Sequence, residues 1–261
     1  MAKLSFIKEK LRKHLVKGPT DPNTVFRRQQ EIYQYVLSNS ESIGRPNFQS
    51  ISSADLGLLF QVTDEHFFDG MVSSLCEQVA NRPLAFRLST RMTNSGGMTT
   101  MFGSASRPHS KLDFEIAIAT TPLFSSFQGN ESLAVGGRNC SDRLEALQRI
   151  MEHEMIHLIE MLVWRTSNCA AKRFKSLVGN FFHHSESHHQ LLTPRDIAKT
   201  RLGIVPGDKV RFQMDGKLIQ GHVNAITKRA TVLVKSPKGR LYDDGYRYEK
   251  FYVPLNRLKR A

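Results

Sequence analysis

Cysteine is scarce in this 261-residue chain: Cys76, Cys140 and Cys169 are far apart, odd in number and free of any CxxC spacing. That excludes a disulfide framework and a cysteine-only zinc site, and it fits a reducing compartment. Long apolar runs are missing as well. No window approaches the ~18 apolar residues of a membrane span. The opening MAKLSFIKEKLRKHLVKG carries charges every two or three residues, so the ~7–15-residue apolar segment of a secretory signal is not expected there. The localisation these absences predict is cytoplasmic. Acidic residues are also in deficit, with 24 Asp and Glu against 37 Lys and Arg and a formal charge of +13. A chain this basic is compatible with a polyanionic partner such as nucleic acid without requiring one.

What is present is ordinary globular composition, 40% hydrophobic and 23% charged, and enough chain for a core of about 200 residues plus a small module. The charge is unevenly spread. From Gly203 to Ala261, 13 Lys and Arg stand against 5 Asp and Glu, net +8, and GIVPGD at 203–208 supplies Pro and Gly punctuation. A linker is expected there. The division read from this is an N-terminal helical extension at 1–50, a central domain at 51–202 and a basic domain at 203–261. In the extension Leu4, Ile7, Leu11 and Leu15 recur at helical spacing with Lys and Arg between them. That pattern reads as a docking helix, the alternative being a membrane-surface helix.

The basic domain alternates in strand fashion through KVRFQM, IQGHVNAIT, ATVLVKS and YRYEKFYVPL, with turns at DGK (215–217) and PKG (237–239). Short strands and tight turns in under about 60 residues predict a small SH3-like or Tudor-like β-barrel. Upstream, QQEIYQYVLSNSES and DLGLLFQVTDEHFFDGMVSSLCEQVA read as helices, and LAFRLSTRM and FEIAIAT as strands parted by a TNSGG turn at 93–97. The class is therefore α+β. From Ser141 to about Trp164 runs a stretch without Gly or Pro, opened by Ser141 and Asp142 as N-cap residues; it predicts a long helix. A second helix is expected at about 170–182, after a break at 166–168, and is followed by the string HHSESHH at 183–189.

Inside the long helix sits HEMIH, residues 153–157. His153 and His157, four apart, project from one face, so both imidazoles can reach one Zn²⁺ while Glu154 holds a carboxylate beside the open coordination position. Zinc acidifies water towards a pKa of ~7 and the carboxylate takes the proton, which is the minimum apparatus of a metallopeptidase. A third protein ligand is needed. Glu160 lies about 10 Å along a straight helix from His153, so it is read as supporting the site from behind. Val163 stands where an extended HExxHxxGxxH signature would have its third His. If the next helix folds back antiparallel, its last turn comes level with the pair, which points to His184, then to His189, with His183 and His188 as alternatives. Cys169, about 18 Å from His157 on the straight-helix rise, ranks behind them.

LLFQVTDEHFFDG at 58–70, FRLSTRMTNSGG at 86–97, FEIAIATTPLF at 114–124 and the HEMIH helix resemble, in that order, the SprT-like zinc metallopeptidases, relatives of the Spartan and Wss1 proteases. The resemblance covers roughly residues 58–192. It implies a zincin-like metallopeptidase domain at 51–202, zinc on His153 and His157, and Glu154 as catalytic base. Family members commonly carry their third histidine in a His-Gly pair at the start of the following helix; the corresponding stretch here, SNCAAKRF, has none. GDKVRF with ITKRATVLV looks like the accessory barrel of bacterial SprT-like proteins.

The function the resemblance implies is zinc-dependent endoproteolysis, in the best understood relatives of proteins crosslinked to DNA. An appended +8 domain would attract phosphate independently of that. Its candidate DNA or RNA contacts are Lys209, Arg211, Lys228, Arg229, Lys235, Lys238 and Arg240, with Tyr242, Tyr246, Tyr248 and Phe251 available for base stacking. An extended protein substrate could pair with an edge of FEIAIAT, though the sequence does not say which strand is the edge. The rival from another class is a nucleic-acid-binding or transcription-associated protein with a structural or degenerate zinc site. A zinc hydrolase of non-peptide amides shares the metal chemistry.

Overall fold

The computed structural model describes residues 2–18, 21–103, 112–127, 132–187 and 191–261. The chain is mixed α+β and divides into two compact units, Met1–Leu191 and Leu192–Ala261. The first contains α1 (Ala2–Lys17), α2 (Pro22–Asn39), α3 (Ser53–Phe68), α4 (Met71–Val79), β1 (Ala85–Ser89), β2 (Gly97–Phe102), β3 (Asp113–Ala119), α5 (Thr120–Ser125), β4 (Leu133–Val135), β5 (Arg138–Cys140), α6 (Arg143–Trp164) and α7 (Lys172–Phe182). Leu11 and Leu15 of α1 are buried in the core that also takes in α3, α4 and α6. Among the described residues no helix is long and apolar enough to cross a membrane.

Local chemistry accounts for the helix boundaries. Asp21 caps α2 on Thr24 with Pro22 at its first turn, and Ser52 and Asp55 form a reciprocal capping box on α3. Gly70 has no side chain to cap α4, and Asp64 of the preceding helix does so instead, accepting from Val72 N at 3.1 Å and Ser73 N at 2.8 Å. At α6 the cap is Asp142, which accepts from Glu145 N at 2.9 Å, rather than Ser141.

The main sheet has order β1-β3-β2, β1 parallel and β2 antiparallel to β3. FEIAIA is therefore the central strand, and the edge available beside α6 belongs to β2. The reason is chemical: Phe114, Ile116, Ala117, Ile118 and Ala119 of β3 are buried, a nearly continuous apolar run suited to a strand covered on both faces.

The second unit begins with α8 (Pro194–Leu202), which packs Ala198 into the same core as Ile204, Val210, Phe212, Val223 and Val232. Its strands are β6 (Lys209–Met214), β7 (Lys217–Ile226), β8 (Ala230–Leu241), β9 (Arg247–Val253) and β10 (Lys259–Arg260), in sheet order β10-β6-β7-β8-β9. β10 and β9 remain as two edges, so the strands do not close into a hydrogen-bonded barrel. Pro237-Lys238-Gly239 is no hairpin turn but a bulge within β8, where the register on β9 slips between Lys235 and Arg240. A Cβ on Gly239 would lie 2.2 Å from the Tyr248 backbone, so the bulge needs a residue without one.

Candidate metal centre

Helix α6 is buried on nearly every side, including Arg143, Gln148, Arg149, Glu152, His153, Glu154 and Glu160. Polar groups taken out of water must find partners, so the partners of these residues describe what the helix is for. Arg143 satisfies carbonyls of Leu123, Phe48 and Ser126 while stacked near the rings of Phe48 and Phe124. Gln148 donates to the carbonyl of Gln29 on α2. These two tie loops and a neighbouring helix to α6.

Arg149, Glu152 and His184 form a closed polar cluster. Arg149 Nη1 donates to both oxygens of Glu152 at 2.6 and 2.7 Å, His184 Nε2 lies 2.9 Å from Glu152 Oε2, and Gln29 Nε2 adds a bond of 3.1 Å. Burial opposes the Glu152 charge, but Arg149 and His184 hold its carboxyl below the usual carboxylate range. Burial likewise lowers His184, keeping its ring neutral. His184 is thus engaged by Glu152 and does not join His153 and His157. His183, at the C-cap of α7, does not join them either. His188 and His189 lie outside the described residues.

On the other side of α6, His153 and His157 direct their Nε2 atoms at each other, 3.1 Å apart. The third donor is Cys169: one ligand atom from each of His153, His157 and Cys169 all lie within 4.8 Å of one another, a group that could hold a metal ion. The straight-helix distance fails because α6 stops at Trp164. Arg165 takes a left-handed conformation (φ 59°), and Asn168 closes a turn on Ala170 and Ala171 that brings Cys169 back beside the histidines. Burial pushes the thiols of Cys76 and Cys140 up to about 12, whereas Cys169 is only half-buried.

Two nitrogens and a sulfur suit zinc better than a hard cation. Tetrahedral Zn–N bonds of ~2.0–2.1 Å would set two ligand nitrogens roughly 3.3–3.4 Å apart, close to the 3.1 Å between the imidazoles. Burial lowers His157 to about 4, so its ring is neutral at neutral pH. The donor set therefore fits such an ion.

Glu154 lies in the same cleft of about 400 Å³, bordered by Gly97, Met98 and Thr99 of β2 on one side and by Ser167 and Cys169 on the other. Thr99 Oγ1 is 2.8 Å from Glu154 Oε2 and 3.0 Å from the Glu154 carbonyl. Burial raises the carboxyl to about 7, with Thr99 opposing the shift. Gly97 leaves the carboxylate its room, since a Cβ there would sit 2.7 Å from Oε1 and 2.8 Å from Cγ. Gly97 is the last residue of the TNSGG turn, and Thr99 is marked in the sequence only by its place two residues after it. For Cys169, the sequence signal is a soft donor just past the end of the HEMIH helix.

In the second unit all seven predicted basic contacts are exposed. Lys209 and Lys235 border one pocket. Arg211 borders another, of about 460 Å³, with Arg257 and Lys259. Lys228 and Arg229 lie in the β7–β8 turn, and Lys238 and Arg240 at the β8 bulge. Arg257 and Lys259 were reachable only through the pairing of β10 on β6, which sets Lys259 opposite Arg211. Tyr246 is exposed but has Lys235 Nζ 3.3 Å above its ring, while Tyr248 is buried.

Fold and site together define a mixed α+β protein whose longest helix carries two members of a three-donor group able to hold a metal ion. No protein-family model matches the chain, and no curated protein or solved structure matches it either.

Proposed function

We propose that the first unit is a zinc-dependent endopeptidase with a zincin-like fold, of the kind the SprT-like resemblance implies. The observation that carries this reading is the convergence of His153, His157 and Cys169 beside a buried carboxylate, Glu154, in one cleft. Cys169 belongs to the SNCAAKRF stretch, where the resemblance leads one to look for a histidine, and it takes the part first expected of His184. A zinc ion held by these three would supply Lewis acidity towards a carbonyl and acidify water. The chain's own residues supply the rest. Glu154, in the same cleft as the three donors, would take the proton from water and return it to the leaving amine. Thr99 fixes its orientation through Oε2. β2 pairs on one side with β3 and presents its other edge, with Met98 exposed, beside the cleft, where an extended peptide can add as a strand.

The basic second unit is read as a small SH3-like module that recruits DNA or RNA. The meander β6-β7-β8-β9 with β10 returning to β6, and the exposed cations on it, support that reading. The test is metal analysis of the purified chain together with cleavage of a DNA-binding protein, with and without DNA. One equivalent of zinc and metal-dependent cleavage that Glu154→Gln lowers about 10²–10⁴-fold, with zinc retained, is the expected result. Salt-dependent DNA binding without cleavage by the zinc-saturated chain would favour the rival, a nucleic-acid-binding protein with a structural metal site.

A further inference from the structure

Glu160 is completely buried, and nothing in the proposed chemistry uses it. Its Oε1 accepts from Arg173 Nε at 2.5 Å, and its Oε2 accepts from the Ser167 hydroxyl at 2.6 Å. The same Ser167 oxygen lies 2.6 Å from Nδ1 of His157. Ser167 has one hydroxyl proton, and the ion-paired carboxylate can only accept. The proton therefore points at Glu160, and the Ser167 oxygen accepts from His157 Nδ1–H. That fixes the tautomer of His157 and leaves the Nε2 lone pair facing His153. Arg173 also donates to the carbonyl of Thr166 at 3.1 Å and stacks on Trp164, its guanidinium carbon 4.4 Å from the ring centroid. One arginine from α7 thus grips the end of α6, the carboxylate and the turn that carries Cys169.

We infer that Arg173, Glu160 and Ser167 form a positioning relay that sets both the ring of His157 and the turn presenting Cys169 for metal. The inference rests on the reading of His153, His157 and Cys169 as ligands. None of the three relay residues is a ligand; they act through His157 and through the backbone at 166–169. A hydrogen bond from the far nitrogen of a ligating histidine orients the ring and raises its basicity, and its loss typically lowers metal affinity about 10–100-fold.

The test uses the full chain stripped of metal and titrated with Co²⁺, followed by competition with a chromophoric chelator for Zn²⁺. Thermal melting of each metal-free variant monitors the fold. Ser167→Ala is expected to weaken Co²⁺ and Zn²⁺ binding about 10–100-fold while the metal-free chain still melts in one cooperative transition. Ser167→Thr, which keeps the hydroxyl, should restore affinity to within about threefold of wild type. Arg173→Lys keeps the charge but not the fork that holds Glu160 and Thr166 together, and is expected to weaken the thiolate-to-cobalt absorption in the near ultraviolet. Wild-type affinity in Ser167→Ala overturns the relay and leaves the ligand reading standing. No Co²⁺ or Zn²⁺ binding by the wild-type chain overturns the ligand reading, and the relay with it.

Discussion

Helix α6 carries two histidine–carboxylate arrangements, and they differ in how charge is settled. In the closed one, Glu152 has Arg149 on both oxygens and His184 and Gln29 as further donors, so its charge is neutralised where it lies. In the open one, Glu154 is bonded by Thr99, and no ion pair reaches it among the described residues. His153 and His157 beside it turn toward each other and toward Cys169 at a cleft. The residue types are nearly the same. What separates scaffold from site is whether a buried carboxylate has had its charge balanced inside the fold.

The largest effect expected from breaking this contrast is on folding. Glu152→Ala leaves the buried Arg149 guanidinium without its carboxylate and should lower stability by about 3–5 kcal/mol, with one metal equivalent still bound by the fraction that folds. His157→Ala should do the reverse, weakening metal binding more than about 100-fold with little change in the metal-free melt. Chemical denaturation and metal titration of the pair check this. Loss of metal from folded Glu152→Ala would merge the two arrangements into one.

A pH series separates the same groups with a smaller effect. Burial lowers His157 to about 4, so between about 6.5 and 4 the unfolded chain binds a proton there that the fold excludes, and stability falls as pH falls; His184, also lowered by burial, acts in the same direction. Glu154 opposes this. Its carboxyl is raised to about 7 in the fold, so its contribution is fully present below the unfolded value of 4.5 and is lost as pH rises through about 7. Glu154→Gln removes that contribution. Metal-free Glu154→Gln should therefore lose stability on acidification more steeply than wild type, by about 1.4 kcal/mol per pH unit between roughly 4.5 and 7. Parallel curves would show that Glu154 is not held protonated by its burial.

How far the sequence reaches follows the range of each interaction. Helix α6, its polar start and the placing of His153, Glu154 and His157 on it are legible, because capping and the spacing of four are local properties. The alternation of the second unit is legible for the same reason. Cys169 is not, since its position depends on a left-handed residue at Arg165 and on a turn closed by Asn168, across which a straight-helix rise has no meaning. His184 misleads because its partner, Glu152, is 32 residues away and nothing in HHSESHH records that pairing. The rank of FEIAIA as central strand depends on two neighbours from different parts of the chain. PKG resembles a turn because Pro and Gly serve bulges as readily as hairpins.

Each arrangement also has a glycine pressed against it, which gives the mildest test of the contrast. A Cβ on Gly97 would meet Glu154 Oε1, Cγ and Cδ at 2.7, 2.8 and 2.9 Å, whereas a Cβ on Gly136 would meet His184 Nδ1 at 2.5 Å. Gly136 also sits at φ 61°, which is strained for any other residue. On the peptidase reading proposed above, Gly97→Ala should push Glu154 out of line and reduce kcat about 10–100-fold, with the melt and metal stoichiometry near wild type. Gly136→Ala should instead lower stability by about 1–3 kcal/mol, with kcat per folded molecule little changed. The prediction is a crossing of two readouts over a single added methyl group, so a large stability loss in Gly97→Ala with normal kcat would assign the open arrangement to the scaffold as well.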